Sequence, residues 1–400
     1  MAVARSSTMH AGRGKKQWAS GQNPSHFTPD SSAHHGEVHE LDLLGWLQRC
    51  WPSRKPLRWQ GSCTKACAQG RTPVRGARRQ CYLDGVQLEV SIIVEGYTCV
   101  EIGDVERFRR SLASAVGMLQ QASNAGEVLV IDTSGSPELA GIVAEFPGVR
   151  MVKAIHLKYD DAKFVAAQEA LGEYLLYLDG DCLPNAQWLD AHLSALKNGA
   201  DATGGFTRYD GGFLAAIESI LDFGFLIPLK RRTLGCYASN NAGFRRSILL
   251  IHRYPDGELR CNCYAHAQEL RRLGRPVVLI PEARVLHRVQ PFFVERFRQG
   301  FDAVGACWVN PSLRERPWLA LGFFAAPLFY AETVLLDYRR IFAGYRDLGV
   351  SFWALPFTLV LFPLFRLVDL AGMVKALAST PRSTDKPLAS QGTAARGIDV

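Results

Sequence analysis

From Val86 onward, short apolar runs alternate with stretches in which apolar residues recur at helical spacing. The apolar runs have the length of strands: LEVSIIV (88–94), EVLVID (127–132), VRMVKAI (149–155), YLLYLD (174–179) and RPVVLI (275–280). The helical spacing predicts helices over 104–122, 161–172 and 185–196. Strands that alternate with helices are typical of βαβ units, so the pattern predicts an α/β fold with a mostly parallel sheet.

The two ends of the chain have a different texture. The N-terminal part is rich in Ser, Gly, His, Arg and Gln, and it lacks the charged region followed by an apolar core of a secretory signal. We therefore expect four regions: a disordered basic leader (1–85), the α/β domain (86–300), amphipathic and membrane-associated helices (301–376) and a disordered tail (377–400).

The positive charge of the chain is concentrated in the leader. The 400 residues carry a formal net charge of +8, but residues 1–85 hold 13 basic and 5 acidic residues, and the rest holds 33 of each. This neutral balance argues against a nucleic-acid partner. Ten cysteines without framework-like spacing favour a reducing, cytoplasmic environment, and Cys63, Cys67 and Cys81 lack the fourth ligand of a zinc site.

Acidic residues stand at the ends of three predicted strands. Glu95 follows SIIV, Asp132 ends EVLVID, and Asp179 with Asp181 follows YLLYL. Because the carboxyl ends of parallel strands share one edge of the sheet, we expect these four carboxylates to converge on one crevice. Crowded carboxylates repel one another unless a cation lies between them. Mg²⁺ is typically held by one or two carboxylates and substrate phosphates, so the pattern favours a divalent cation that carries a diphosphate.

The run YLLYLDGDCLPNAQWL resembles the DXD segment of family 2 glycosyltransferases of the GT-A fold. VSIIVEGY, VLVIDTSG and ASNNAGFRRSIL (238–249) follow the order of that family, and the resemblance covers about residues 88–300. It implies a GT-A-type nucleotide-sugar-binding domain that uses Mg²⁺ or Mn²⁺.

The resemblance also implies site residues. Nucleotide-sugar contacts fall on Glu95, Asp132, Lys163, Asp179, Asn240 and Asn241. Metal contacts fall on Asp179, Asp181 and His287. Lys163 stands where the family often has Arg, with a solvated surface lysine as the alternative; for His287 the alternative is a structural histidine at a strand end. Arg296 or Arg298 resembles the arginine that holds diphosphate in membrane-bound members, and amphipathic surface packing is the other interpretation.

One departure from the family concerns the general base. The slot that normally holds Glu-Asp is occupied here by Asn262 and Cys263. Nearby substitutes are Glu258 and His266, with Asp256 more simply explained as a residue of a surface loop. A buried, hydrogen-bonded histidine is the alternative interpretation of His266.

Two apolar stretches follow, over residues 318–336 and 348–365, and each approaches the length that crosses a bilayer. We expect membrane attachment, either as two spans or as an in-plane hairpin, with two buried core helices as the soluble alternative. The resulting hypothesis is a glycosyltransferase at the cell membrane, with its catalytic domain facing the cytoplasm. It is expected to use a nucleoside diphosphate sugar, to act on a lipid-linked or cell-envelope glycan acceptor, and to invert the anomeric centre. The alternative is a noncatalytic descendant that binds nucleotide sugar or glycan.

Overall fold

The structure of the protein is a computed structural model that describes residues 88–96, 103–122, 124–254, 262–289, 292–309 and 324–379. These residues belong to one compact unit, Val74–Val400. The second unit, Met1–Pro73, lies outside the described residues, as do the whole predicted leader (1–85) and the predicted tail beyond Ser379.

Four parallel strands form the first half of the sheet: β1 (Val90–Glu95), β2 (Gly126–Asp132), β3 (Arg150–Lys153) and β4 (Tyr174–Asp179). Their connections contain the helices α1 (Val105–Gln121), α2 (Pro137–Ala144) and α3 (Tyr159–Glu169). The spatial order is β3-β2-β1-β4. These βαβ units confirm the predicted α/β fold. The chain moves outward from β1 to β3 and then returns to the other side of β1, so a crevice is expected at the carboxyl ends of β1 and β4.

The second half of the sheet is mixed. It adds β5 (Cys182–Pro184), β6 (Ala202–Tyr209), β7 (Thr233–Leu234), β8 (Asn241–Arg245) and β9 (Val277–His287). The full order is β3-β2-β1-β4-β8-β6-β9-β5, and β7 pairs with β9. β8 runs antiparallel to both β4 and β6, whereas β6 and β9 are parallel. The pairing of β5 with β9 brings the segment after Asp181 against the end of β9.

The sheet has a hydrophobic core on each face, because successive side chains of a strand point in opposite directions. Ile92 and Val94 of β1 belong to the core beneath α1, α2 and the helix α4 (Trp188–Lys197). Ile93, between them, belongs to the core beneath α3 and the helix α5 (Phe213–Phe223). The described part of this domain also contains the helices α6 (Arg246–Ile251) and α7 (Asn262–Arg272).

After the sheet, the described residues form three long helices: α8 (Phe292–Val309), α9 (Ala325–Gly344) and α10 (Leu355–Ser379). Among the residues that the structure describes, one helical segment, Phe352–Ala378, is long and apolar enough to cross a membrane. It contains most of the second predicted apolar stretch. The first stretch is described only from residue 324, where it opens α9, and α9 does not meet the same criterion.

Candidate active site

Three strand ends lie level at one edge of the sheet. In the pairing register, Glu95 at the end of β1 is opposite Ile131 of β2 and Asp179 of β4. Asp132 is the next residue of β2. Since neighbouring strands are about 4.8 Å apart, the backbones of Asp132 and Asp179 are separated by about two strand spacings. The predicted convergence of carboxylates at this edge therefore has its backbone basis in the register of β2, β1 and β4.

A glycine sets the geometry of the loop that carries the two carboxylates. The backbone N–H of Gly180 donates to the Glu95 carbonyl oxygen at 2.7 Å. A Cβ atom at position 180 would lie 2.5 Å from that oxygen and 2.6 Å from the Phe108 ring. The DGD loop thus packs directly on β1, which only glycine allows.

Asp179 is held by a buried cation. Lys163 on α3 donates from Nζ to Asp179 Oδ1 at 2.8 Å and to the Ser239 carbonyl oxygen at 2.7 Å. It also donates to the Tyr159 hydroxyl, which in turn donates to Asp179 Oδ2 at 2.6 Å. These bonds use all three N–H donors of Lys163, and the lysine is fully buried. Neither the solvated lysine nor the predicted phosphate contact is what the structure shows: Lys163 neutralises and positions Asp179.

Asp181 faces His287 at the end of β9, where His287 Nε2 lies 3.6 Å from Asp181 Oδ1. The other ring nitrogen of His287, Nδ1, lies 2.7 Å from the Arg288 carbonyl oxygen, to which it can only donate. In the neutral ring this bond leaves the lone pair on Nε2, the nitrogen that lies nearer the carboxylate. Burial raises the pKa of Asp181, and His287 opposes that rise. Two electron-pair donors that face each other in this way are suited to share a cation.

The donor set around Asp181 fits Mn²⁺ or Mg²⁺ better than a thiophilic metal. Asp181, Cys182 and His287 bring one oxygen, one sulfur and one nitrogen within 4.8 Å of one another. Burial raises the pKa of the Cys182 thiol well above its ordinary value, so this side chain stays a neutral packing residue. The two groups that remain are carboxylate and imidazole, and imidazole suits Mn²⁺ better than Mg²⁺.

Arg107 joins the two sides of this pair, and the sequence offered no signal for it. Its Nε donates to the Asp181 carbonyl oxygen at 2.7 Å, and its Nη2 donates to the Leu286 carbonyl oxygen at 2.8 Å. Its Nη1 forms an ion pair with Asp210 at 3.0 Å. Arg107 thereby fixes the backbone of Asp181 relative to that of the residue before His287.

Asp132 closes the loop after β2. Its Oδ1 accepts from the backbone N–H of Gly135 at 2.7 Å and from the N–H and hydroxyl of Ser134 at 3.0 Å. The side chain is buried at the sheet edge. The structure thus places Asp132 at the predicted edge and shows that it shapes the loop there.

Residues 103–250 match the family model described as "Glycosyl transferase family 2". This segment is a family 2 glycosyltransferase domain. It contains α1 with Arg107, the DGD loop and the Asn240–Asn241 segment, whereas β9 with His287 lies beyond the match.

Solved structures with similar folds were also found, at low identity. A mannosyltransferase, PcManGT from Pyrobaculum calidifontis in complex with GDP-Man and Mn²⁺, is 15% identical over 73% of this chain and 88% of its own, with a TM-score of 0.49. GalNAc-T7 with UDP, GalNAc and Mn²⁺ is 14% identical over 51% of this chain and 44% of its own, with a TM-score of 0.37. A mycobacterial protein is 15% identical over 51% and 68%, also at 0.37. No curated protein matches.

Asn240 and Asn241 of the glycosyltransferase have different surroundings. Asn241 accepts from Trp188 Nε1 at 2.8 Å and bonds His192 Nε2 at 3.0 Å, and its amide donates to the carbonyl oxygens of Phe206 and Ala283. Its bonding capacity is filled and it is fully buried, so the predicted contact of Asn241 with a sugar nucleotide is corrected to a structural role.

Asn240, its neighbour, remains at the site margin. Its Oδ1 accepts from the Thr207 hydroxyl at 3.1 Å, and the residue is 7% exposed. The predicted donor contact of Asn240 stays a prediction.

His266 of the glycosyltransferase is a core residue. Its Nδ1 bonds the Tyr237 hydroxyl at 2.7 Å, and its Nε2 bonds the His252 carbonyl oxygen at 2.8 Å. Burial lowers the pKa of His266 to about 4, and its ring packs against Tyr254 and Phe244. With both nitrogens occupied and the residue fully buried, His266 is corrected from candidate base to the structural alternative.

Asn262, at the position where the resemblance places the general base, contacts a carboxylate from another element. Asn262 begins α7, and its Nδ2 donates to Asp160 Oδ2 at 2.7 Å. Asp160 follows Tyr159, the residue that bonds Asp179, and is half-buried. No sequence pattern indicates this contact, because it joins residues 102 apart in the chain. The other candidates, Asp256 and Glu258, lie outside the described residues.

Proposed function

We propose that the glycosyltransferase transfers a sugar from a nucleoside diphosphate sugar, with Mg²⁺ or Mn²⁺, to a lipid-linked or cell-envelope glycan acceptor, with inversion of the anomeric centre. The observation that carries the proposal is the pair Asp181–His287, whose acceptor atoms face each other 3.6 Å apart at the carboxyl edge of a family 2 domain. Glu95, Asp132 and Asn240 border the same edge and are proposed to contact the nucleotide sugar.

Asp181 and His287 are the residues that would hold the cation, with Asp179 adjacent on the same loop. The bound cation supplies Lewis-acid stabilisation of the negative charge that develops on the diphosphate leaving group. Lys163 neutralises the charge of Asp179 by forming an ion pair with it. The negative charge that remains for the cation is therefore mainly that of Asp181.

The acceptor side needs a base. The acceptor oxygen forms a bond to the anomeric carbon while the bond from that carbon to the diphosphate oxygen breaks, and the hydroxyl proton must move to a nearby group. We propose Asp160 for this step, since Asn262 holds its carboxylate at the slot of the family's base. Glu258 stays a second candidate from the sequence.

Membrane association at the cytoplasmic face is part of the proposal. The segment Phe352–Ala378 has the length and hydropathy of a membrane helix. The cysteines whose side chains the structure describes, Cys182, Cys236 and Cys263, form no disulfide bond with one another, which suits a reducing compartment.

Replacement of Asp181 tests the proposal. We expect Asp181→Asn to lower nucleoside diphosphate release from UDP-, GDP- or dTDP-sugars by at least about 10²-fold, because an equivalent loss of charge stabilisation costs about 3 kcal/mol. Chelation of the metal should have the same effect on the unaltered protein. Asp161→Asn, at an exposed position of α3, is the matched control. Full metal-independent release by a folded Asp181→Asn variant would contradict the proposal.

A noncatalytic binder is the second candidate, favoured by Asn262 and Cys263 in the slot of the base. It predicts metal-dependent binding of the nucleotide sugar without release of nucleoside diphosphate. The release assay above, run beside a binding assay with the same donors and membrane lipid, separates the two functions.

A further inference from the structure

The exposed face of α8 carries an aromatic ladder. Phe293, Phe297 and Phe301 recur every four residues, so they lie along one side of the helix. Together with Val294 they line a groove of about 520 Å³, which Arg298 and Lys375 complete. Phe293 is 65% exposed and Val294 is 54% exposed, so this apolar surface is open.

Two glycines allow α8 and α10 to approach closely beside the groove. At Gly300 of α8 a Cβ atom would collide with the backbone of Asp369 on α10, and at Gly372 of α10 it would collide with the Phe297 carbonyl oxygen. The two helix backbones are therefore in direct contact where they cross. A crossing of this closeness brings Lys375 beside the aromatic ladder, 6.0 Å above the Phe297 ring.

The cations of this region have two different environments. Arg296 is buried and forms ion pairs with Asp222 of α5 and Asp369 of α10. Arg298 and Lys375 are exposed, and neither forms an ion pair with any residue that the structure describes. Of the two arginines expected to hold diphosphate, Arg296 or Arg298, burial and pairing exclude Arg296. They also leave Arg298 and Lys375 as the positive charges at the edge of an apolar groove.

The groove begins a few residues after the candidate active site along the chain. β9 ends at His287, and Phe293 is six residues further along the chain. Six residues span at most about 20 Å, which bounds the distance between the metal pair and the near end of the groove. The neighbouring helix α10 also carries exposed apolar residues, Leu364, Leu367 and Val374.

We propose that this groove binds the acceptor lipid, through an apolar chain that lies along the phenylalanines and a phosphate or pyrophosphate headgroup that meets Arg298 and Lys375. An anionic headgroup complements the two exposed cations, and the aromatic ladder offers no polar partner to a hydrophilic ligand. The role of this lipid as acceptor rests on the proposed function, whereas the binding of a lipid phosphate in the groove does not.

Direct binding to the full chain in detergent tests the site. The probes are farnesyl phosphate, farnesol and inorganic phosphate, and the readout is calorimetry. The double variant Arg298→Gln/Lys375→Gln should weaken binding of farnesyl phosphate at least tenfold and leave farnesol unchanged. Arg339→Gln, at an exposed cation of α9, is the matched control and should bind like the unaltered protein. Phe293→Ser, at an exposed position, should weaken both lipids.

Three outcomes would overturn the inference: equal affinity for farnesol and farnesyl phosphate, equal affinity for inorganic and farnesyl phosphate, or an unchanged double variant. Displacement of farnesyl phosphate by vesicles of anionic phospholipid at equal lipid concentration would instead assign the groove to the bulk membrane. Donor binding with Mn²⁺, measured without lipid, keeps the two proposals apart. Its loss contradicts only the proposed function, and failed lipid binding beside intact donor binding contradicts only the groove.

Discussion

At the scale of single residues, the site is built by side chains that have no capacity left for a ligand. Lys163 uses its three donors inside the protein, and Asn241 and His266 use both ends of their side chains. These residues fix the positions of Asp179, β8 and α7. The side chains that we propose for the chemistry are Asp160, which is half-buried, and Asp181 and His287, which face each other.

Asp160→Asn should lower the rate of transfer by about 10²–10⁴-fold, the usual contribution of a general base. The amide keeps the bond partner of Asn262, so we expect nucleotide-sugar binding and the thermal midpoint to stay within error. The measurement is kcat/KM against pH, in which the variant should lose the acidic limb. Asp161→Asn and Glu258→Gln run in parallel. If Glu258→Gln loses the limb and Asp160→Asn keeps it, the base is Glu258.

Residue roles were only partly predictable from the sequence. The positions of Asp179 and Asp181 at the sheet edge were predictable because they follow a buried strand, whereas His287 was a candidate only through the family resemblance. The bonds that decide between catalytic and structural roles join distant residues, such as Arg107 to Leu286 and Asn262 to Asp160. A spacing rule along the chain carries no signal for such contacts, so Arg107 and Asp160 were missed and Lys163 was misassigned.

At the scale of elements, predictability followed the regularity of the hydrophobic pattern. β1, β2 and β4 are largely apolar runs and were predicted together with their parallel direction, but not with their order in the sheet. β6 reads ATGGFTRY and β8 reads NAGFR, which contain glycine and polar residues in place of such runs. Residues of these strands form the hydrogen bonds of Asn240 and Asn241 beside the site. The apolar sequence pattern that marks a strand is therefore weaker there.

The crossing of α8 and α10 depends on glycine. Gly372→Ala should lower the free energy of unfolding by about 1–3 kcal/mol, because the new methyl group meets the Phe297 carbonyl and the helices must separate. Gly141→Ala in α2 is the control, since its Cβ meets no atom within 4 Å, and should be neutral or slightly stabilising. Urea unfolding measures both. Equal stability of the two variants would contradict the close crossing.

At the scale of the whole molecule, two buried neutral histidines make stability depend on pH. Burial lowers the pKa of His192 and of His266 to about 4. In the unfolded chain both titrate near 6.5, so the unfolded state binds more protons between pH 6.5 and 4. Stability is therefore present above pH 6.5 and falls as the pH drops towards 4, by up to about 3 kcal/mol for each histidine. Glu218, whose pKa burial raises to about 7, acts in the opposite direction and offsets part of this loss.

His266→Gln should make the fall between pH 6.5 and 4 shallower by up to one bound proton, since one of the two titrating groups is gone. Thermal unfolding across this range is the measurement. His156→Asn is the control, because His156 is exposed and its positive φ of 63° suits Asn. An unchanged slope in His266→Gln would show that the histidine is not neutral in the folded protein.

The contact of Gly180 with β1 has a consequence for the tolerance of the domain to mutation. A Cβ atom at position 180 would lie 2.5 Å from the Glu95 carbonyl oxygen, so only glycine fits between the two aspartates. In a library randomised at position 180 and selected for sugar transfer, survivors should encode glycine alone.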